Sequence, residues 1–412
     1  MKEPATVVIG ANYGDEGKGS MTDYHCGSAG ADVIVVRFNG GAQAGHTVVA
    51  PDGRRHVFSH FGSGSLRGAA TYLSQFFACH PLLFIKEAAQ LANFNLPAPP
   101  RVLIDSRAPV TTPYDMLINQ MLERRRGVAR HGSCGVGFGE TIERDAQAAY
   151  ALRAGDLRKG DGFLLHRLDA IRRECVPRRL AAQGLRTIDE TDSALLYSDD
   201  LLEEFIACVA QFNAMTQLAA PNVLGAHRRV VMEGAQGLLL DQQRGSFPFV
   251  TRSNTGLRNA LAVAQDAGIT ALEVTYCTRT YLTRHGSGPL PGELPHAPYS
   301  GVCDQTNIQN EFQGALRFAH LDLDTLARAI NADFADLRDC AGINGSLNLA
   351  VTCLDQVDDL MSYRTDGKLK RGSRAAFLAA IDARIRHTMS YVSYGPARSD
   401  VNVAGVSLQK QA

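Results

Sequence analysis

No stretch of this sequence stays apolar for the roughly 20 residues that a membrane-spanning helix needs. The opening MKEPATVVIGANYG also lacks the basic start, apolar run and small-residue cleavage site of a secretion signal. A cytoplasmic protein with no membrane partner is expected. Excess charge is missing too: Lys+Arg number 42 against 42 Asp+Glu, giving a formal net charge of +0. That balance excludes the strongly basic signature of a duplex nucleic-acid binder and directs attention to small-molecule partners. The nine cysteines are an odd count with no CxxC pair, which argues against a disulfide framework and against a thiolate zinc site. Buried free thiols are expected instead. Internal repeats, low-complexity tracts and blocks of like charge are all absent.

What is present is ample core material, 45% hydrophobic residues over 412 positions, enough for one large domain with insertions or for two domains. Short β-branched runs bounded by glycine recur at Thr6 to Gly10, Asp32 to Phe38, Arg101 to Asp105, Val230 to Glu233, Ala271 to Tyr276 and Leu347 to Leu354. Helical periodicity separates them at Pro81 to Ala92, Leu164 to Gln183, Asp199 to Leu218, Gly256 to Gly268, Asp322 to Ile330 and Arg374 to His387. The alternation predicts an α/β fold with a mainly parallel, doubly wound sheet. The stretch from about Ala151 to Gly225 reads as a helical insertion within a single domain spanning residues 1–412, with two independent domains as the alternative. In such a sheet the loops after the strands' carboxyl ends converge on one edge, where ligands bind.

Two of those loops carry chemistry. TVVIGANYGDEGKG, Thr6 to Gly19, runs from a strand into a glycine-dense turn bearing Asp15, Glu16 and Lys18. Glycines let backbone N–H groups approach phosphate oxygens, a following helix start adds partial positive charge, and a lysine adds a mobile cation. The segment resembles a phosphate loop without being a Walker A motif, because the motif's first glycine falls on Asn12 and its final Ser/Thr on Gly19. An acid inside a short glycine-framed turn at a strand end has little structural purpose, which singles out Asp15. NGGAQAGHT, Asn39 to Thr47, follows the next strand; its small residues permit close approach while Gln43 offers an amide and His46 a donor for a charged oxygen. Glu233 and Asp241, in EGAQGLLLD, read equally well as solvated loop acids.

Taken together, GDEGKG at Gly14 to Gly19 and GGAQAGHT at Gly40 to Thr47 resemble the hallmark loops of the adenylosuccinate synthetase family. Further matches follow in order: GSCGVGFG at Gly132 to Gly139, EGAQGLLLD at Glu233 to Asp241, GSFPFVTRSNT at Gly245 to Thr255, GSGPLPGEL at Gly286 to Leu294, LD at Leu354 to Asp355 and SYGP at Ser393 to Pro396. The resemblance implies an NTP-dependent C–N ligase that condenses L-aspartate with C6 of a 6-oxopurine nucleotide, with Mg²⁺, as a homodimer. It implies Asp15 as general base and metal contact, and His46 as the group that stabilises charge on the transferred phosphoryl and on O6. It places Gly14, Glu16, Gly17, Lys18, Gly19, Gly45, Thr47, Asp355, Ser393, Gly395 and Pro396 on the triphosphate donor, with the Gly45 carbonyl a second metal ligand. Asn12, Gln43, Ser133, Cys134, Gln236 and Thr251 fall to the purine nucleotide.

The sequence departs from the family in ways that shape these expectations. The aspartate region, NIQNEFQGALRFAHLD at Asn307 to Asp322, lacks the usual run of arginines, leaving Arg317 with Arg279 and Arg284 nearby as the carboxylate clamp. Cys353 replaces the lysine two residues before the guanine-reading Asp355, which opens ATP or dATP beside GTP as donor. Ala42 and Gln43 stand beside His46 in place of the usual residues. Arg144 is the candidate for the arginine reaching into a partner subunit. TRHGSGP together with FQGALRF is similar to phage-type variants that use dGMP, so (d)GMP is expected as acceptor, with IMP as the conventional alternative. A nucleotide-binding regulator that has lost chemistry and an ordinary P-loop phosphotransferase are the competing classes; retention of Asp15, Lys18 and His46 speaks against the first.

Overall fold

The computed structural model describes residues 3–27, 32–127, 130–303 and 314–404. Ten strands form its main sheet, in the order Val401–Ala404, Met389–Ser393, Asn344–Thr352, Ala271–Arg279, Ala5–Gly10, Arg229–Gly237, Val33–Arg37, Ala70–Leu73, Val102–Ile104 and Thr216–Leu218. Every pairing is parallel except the outermost one, between Met389–Ser393 and Val401–Ala404. The expected α/β class with a mainly parallel sheet is therefore what the chain adopts. All six strand runs read from the sequence are strands of this sheet.

Residues alternate across the sheet as the pleat requires. Val7 and Ile9 join the hydrophobic cluster that takes in the Leu257–Asp266 and Leu323–Arg338 helices, while Val8 faces the opposite way, into a cluster with Met21 and Cys26 of the Lys18–Cys26 helix. The central strands are buried on both faces and so read as continuous apolar runs. A smaller sheet of Tyr281–Arg284, Arg317–Asp322, Leu360–Thr365 and Lys368–Ser373, with Glu293–Leu294 on its flank, and a hairpin of His46–Val49 with Arg55–Phe58 complete the β structure.

Two helical readings need correction. Leu164 to Gln183 is not one continuous α-helix but Asp161–Ala170 and Val176–Ala182 joined through a wide turn at Ile171–Cys175. Pro177 accounts for this: it has no N–H to return to the preceding turn and its ring crowds that turn's carbonyl, and a widened turn accommodates both. Asp199 to Leu218 stops being helical at Met215, after which Thr216–Leu218 pairs with Val102–Ile104 as an edge strand. The rest of residues 151–225 is short helices and the loops between them, with the Glu190–Leu196 helix added.

Candidate active site

The strands Ala5–Gly10, Val33–Arg37 and Arg229–Gly237 end side by side, and the loops that leave them line one cavity of about 1140 Å³. Asp15 and His46 both border it, as do Lys18, Gln43, Gly45, Thr47, Ser133, Cys134, Gln236, Thr251, Arg279 and Arg284. The two signature turns touch: a Cβ added to Gly19 would lie 2.8 Å from the Thr47 carbonyl oxygen and 3.1 Å from His46 Cβ. Any larger residue at position 19 would push the phosphate loop away from the His46 strand.

The loop from Ala11 to Gly17 is shaped by Glu16, which points inward. Its Oε1 accepts from the N–H groups of Asn12 (2.9 Å) and Gly14 (2.8 Å), and its Oε2 pairs with Lys18 Nζ at 3.0 Å. Gly10 is required beneath this pair, since a Cβ there would lie 2.3 Å from Glu16 Oε2. Glu16, expected on the triphosphate, is thus spent on holding the loop. Asn12, expected on the purine nucleotide, is buried and gives its amide to Thr278 Oγ1 at 2.9 Å. The Lys18–Cys26 helix begins behind Gly17 with no side-chain cap, so its first-turn N–H groups are available to an anion.

Asp15 sits at φ 63, in the left-handed region, with its side chain a quarter exposed. Its Oδ2 pairs with His285 Nε2 at 3.0 Å, and its carbonyl oxygen accepts from Arg279 Nε. Burial works against the charge, but the His285 hydrogen bond and the nearby positive groups of His285, Arg279 and Lys18 outweigh it, holding the carboxyl down at about 2. It is a carboxylate at neutral pH.

His46 is fixed from behind. Its Nδ1 lies 2.6 Å from Oε1 of Glu233, a carboxylate with 0% exposure that also accepts from Ser63 N–H at 3.1 Å and from Ser63 Oγ, with Arg37 Nη1 at 3.9 Å. Burial would raise the Glu233 pKa, but His46, Arg37 and the Ser63 bond hold it below the ordinary range. Burial, together with Arg37 and Lys18, pushes the imidazole pKa down, against the pull of Glu233. The pair is therefore a carboxylate accepting Nδ1–H from a neutral imidazole, which leaves Nε2 as the nitrogen available to a ligand. Glu233 is no solvated loop acid.

Other expected residues divide. Gln43 lies among Gly40, Gly41 and Phe138, and neither atom of its amide has a hydrogen-bond partner among the described residues. Ser133 Oγ donates to Asn119 Oδ1 at 3.1 Å, and burial raises the Cys134 thiol, which is an inert wall. Asp355, Ser393, Gly395 and Pro396 stand outside the cavity wall, on the same sheet edge, where Leu354 N–H donates to the Ser393 carbonyl at 3.1 Å. Thr352, just before them, packs on the phosphate loop and donates to the Glu16 carbonyl at 3.2 Å.

The arginines fare worst. Arg284 is buried and its guanidinium donates to the carbonyls of Ser287, Pro289 and Phe249 over the Tyr13 ring, so it is a strut for the loop and not a carboxylate clamp. Arg317 is absent from the cavity wall; it pairs with Glu293 and donates to the carbonyls of Gly286 (3.0 Å) and Gly288 (2.9 Å). Of the expected aspartate segment, residues 307–313 lie outside the described residues. Arg144, the candidate for a cross-subunit arginine, is buried against Asp115 at 2.8 Å and against the carbonyls of Tyr150 and Val110, so it cannot reach outward. Residues the sequence did not announce are His285, Ser63 and Arg37. For His285 the signal is its place in TRHGSGP, a titratable side chain set between Arg284 and Gly286.

For Mg²⁺ the donors fit in kind. Among the described residues no cluster of three or more His, Cys, Asp or Glu forms a cage. Asp15 and Gly45 border the same cavity, one bringing an ionised carboxylate and the other a main-chain carbonyl. A sparse oxygen set beside a phosphate loop suits an ion that keeps waters and takes its remaining ligands from substrate phosphates.

Among the described residues no helix is long and apolar enough to cross a membrane. A family model described as adenylosuccinate synthetase matches residues 7–370. Adenylosuccinate synthetase 1 of Cupriavidus pinatubonensis is 33% identical over 395 residues, covering 90% of this chain and 82% of the relative. The adenylosuccinate synthetase of Ralstonia nicotianae is 34% identical with the same coverage. Among solved structures, the fully ligated adenylosuccinate synthetase from Plasmodium falciparum gives a TM-score of 0.69 at 16% identity, over 98% of this chain and 100% of its own. The cyanophage S-2L succinoaminodeoxyadenylate synthetase, bound to dGMP and to dATP as an energy donor, gives 0.62 at 16% identity, over 98% and 96%. At that identity the two structures show a shared fold alone, while these sequence relatives are bacterial adenylosuccinate synthetases. The chain belongs to the adenylosuccinate synthetase family, and is a ligase of the kind that joins aspartate to a purine nucleotide.

Proposed function

We propose that this ligase uses (d)GMP, joining L-aspartate to C6 through a 6-phosphoryl intermediate to give 2-amino-(deoxy)adenylosuccinate. The observation that carries the chemistry is the meeting of Asp15 and His46 on one cavity, from adjoining turns. Asp15, ionised, accepts the proton from N1 as O6 attacks the γ-phosphorus; the O6–P bond forms and the bond to the departing diphosphate breaks. The aspartate amine then attacks C6, and the C6–O6 bond breaks with phosphate leaving and taking up the proton that the amine gives up. His46, held by Glu233 behind Nδ1, meets the charge that builds on O6 and on the transferred group once Nε2 takes up a proton, the doubly protonated ring being the form that the Glu233 carboxylate favours. Lys18 and the uncapped amides behind Gly17 receive the triphosphate, and Asp355, Ser393, Gly395 and Pro396, on the same sheet edge outside the cavity wall, take the donor's base. Asp15 and the Gly45 carbonyl would hold Mg²⁺, which would supply charge neutralisation on the phosphates. Gln43, Gln236, Ser133, Cys134 and Thr251 surround the nucleotide.

Support for (d)GMP comes from the TRHGSGP and FQGALRF segments, which resemble phage-type enzymes; separately, Cys353 removes the lysine platform of a guanine reader and points to ATP or dATP as donor. The conventional IMP and GTP reading has its own support in the bacterial relatives at 33% and 34% identity. A homodimer belongs to the proposal on family resemblance, with an arginine other than Arg144 crossing between subunits. The deciding experiment incubates protein, Mg²⁺ and aspartate with IMP, GMP or dGMP against ATP, dATP or GTP, and detects the adduct by mass. Adduct from GMP or dGMP with ATP or dATP is expected. Adduct from IMP with GTP alone returns the conventional enzyme, and tight nucleotide binding without adduct returns the regulator. Asp15→Asn should cut turnover by roughly 10²–10⁴-fold while nucleotide affinity stays; full activity in that variant removes Asp15 from the base role.

A further inference from the structure

Asp15 is gripped twice by one short stretch of chain. Arg279, the last residue of the Ala271–Arg279 strand, donates from Nε to the Asp15 carbonyl oxygen, and His285, the residue after the Tyr281–Arg284 strand, holds Oδ2 at 3.0 Å from Nε2. The stretch between them is itself immobilised. Arg284 donates to three carbonyls on its own loop and on Phe249, and Ser287 Oγ donates to the Arg130 carbonyl at 2.7 Å. Gly286 packs so closely that a Cβ on Gly132 would lie 2.5 Å from its Cα. His285 thus projects from a fixed strand end, with little freedom in where its ring points.

Asp15 needs such restraint. Its backbone sits at φ 63, a left-handed turn that aspartate tolerates better than most non-glycine residues and that neighbouring contacts help to hold. A carboxylate on a glycine-framed turn also has two equivalent oxygens and a freely turning terminal bond. Fixing one oxygen selects the direction of the other.

We propose that His285 is a positioning residue for the ligase: by engaging one lone pair of Asp15 Oδ2 it turns Oδ1 toward the purine N1 proton and leaves the second lone pair of Oδ2 for a metal ion, while Arg279 clamps the same residue's main chain. This rests on the reading of Asp15 as the base. It also reassigns Arg279, expected on the aspartate substrate, to the support of Asp15. A neutral hydrogen-bond donor at the Nε2 position suffices for the role, so glutamine, whose Nε2 falls at a similar reach, should replace histidine and valine should not.

The test compares His285→Val and His285→Gln in the full chain. A charge-assisted hydrogen bond of this kind is worth roughly 10- to 100-fold in rate when it orients a reacting group. His285→Val should lower kcat by about that factor with KM for nucleotide and for aspartate within about twofold, and His285→Gln should recover most of it. A residue that only stabilised the loop would not give this split, since both variants would melt earlier and the surviving enzyme would turn over normally. Unchanged kcat in His285→Val, a loss that appears only in a substrate KM, or a glutamine variant no better than valine overturns the proposal. A second readout is independent of turnover: in ¹⁵N-histidine-labelled protein, Asp15→Asn should shift the His285 Nε2 resonance, and no shift overturns the pairing. If the wild type makes no adduct, the ligase reading fails by itself, and the pairing still stands or falls on that resonance.

Discussion

Replacing Glu233 by glutamine changes one atom type in a pocket with 0% exposure, and its consequences follow from the pocket's donors. Every neighbour that reaches this carboxylate brings a hydrogen: His46 Nδ1 at 2.6 Å, Ser63 N at 3.1 Å, Ser63 Oγ, and Arg37 Nη1 at 3.9 Å. An amide turned one way sets its NH₂ against the Ser63 N–H, donor against donor. Turned the other way it faces His46, whose imidazole must then move its proton from Nδ1 to Nε2. The second arrangement is the less costly, and it leaves the ring without the carboxylate that supports its doubly protonated, charge-stabilising form. Arg37 suffers as well: it is fully buried, two of its donor nitrogens have no hydrogen-bond partner among the described residues, and Glu233 is the anion beside it. Breaking a buried pair from one side costs about 3–5 kcal/mol; the 3.9 Å separation places Glu233→Gln at the low end, about 3 kcal/mol by urea unfolding. Turnover should fall by roughly 10²–10⁴-fold, the scale seen when an imidazole's orienting carboxylate becomes an amide, with nucleotide affinity preserved. Should Glu233→Gln keep kcat within threefold and lose less than about 1 kcal/mol, the account of how His46 is held is wrong.

Two further outcomes follow from the same site. Gln43 carries both amide atoms without a hydrogen-bond partner among the described residues, and an orphaned buried polar group costs about 1–3 kcal/mol; Gln43→Ala should leave urea stability unchanged or raised while weakening nucleotide binding about tenfold, and a large loss of stability with unchanged binding would show the amide to be structural. Acid should unfold the protein from an unusually high pH. His46 and His25 are each pushed down to about 4 by burial, so the unfolded chain takes up their protons first; the stability they contribute is present above about 6.5 and is lost as pH falls from there toward about 4. Each site is worth up to roughly 3 kcal/mol across that window, and His46→Asn should flatten the part of the curve belonging to it, read as urea midpoints between pH 7 and pH 4.

The strands were readable because burial on both sheet faces leaves a signature that needs no partner: Val33–Arg37 is apolar but for its last residue wherever it is placed. Ala70–Leu73 and Met389–Ser393 left no such trace, being short runs with polar members, and they are strands because parallel neighbours hold them. The Lys18–Cys26 helix has no apolar face to betray it, since it is the continuation of a phosphate loop. Glu233 could not be assigned for a related reason. Whether an acid is solvated or buried depends on what meets it, and here His46, Ser63 and Arg37 arrive from strands and loops at least 170 positions away in sequence.

What the sequence carries about the site is a misfit with local rules. Five non-glycine residues among those described take a positive φ: Asp15, Asn95, Gln236, Cys353 and Asp366. Asn95 and Asp366 are of types that tolerate this conformation and stand on ordinary turns. Gln236 and Cys353 are not, and glycine would fit their backbones at lower cost, roughly 1–3 kcal/mol each. Asp15 and Gln236 border the cavity and Cys353 directly follows the strand that packs on the phosphate loop. A side chain retained where the backbone would be easier without it is retained for what the side chain does. Under the proposed function Gln236, whose strand runs directly from Glu233, is retained for a contact with the nucleotide in register with the carboxylate that holds His46, while Asp15, of a type that tolerates its turn, is there to take the proton at N1.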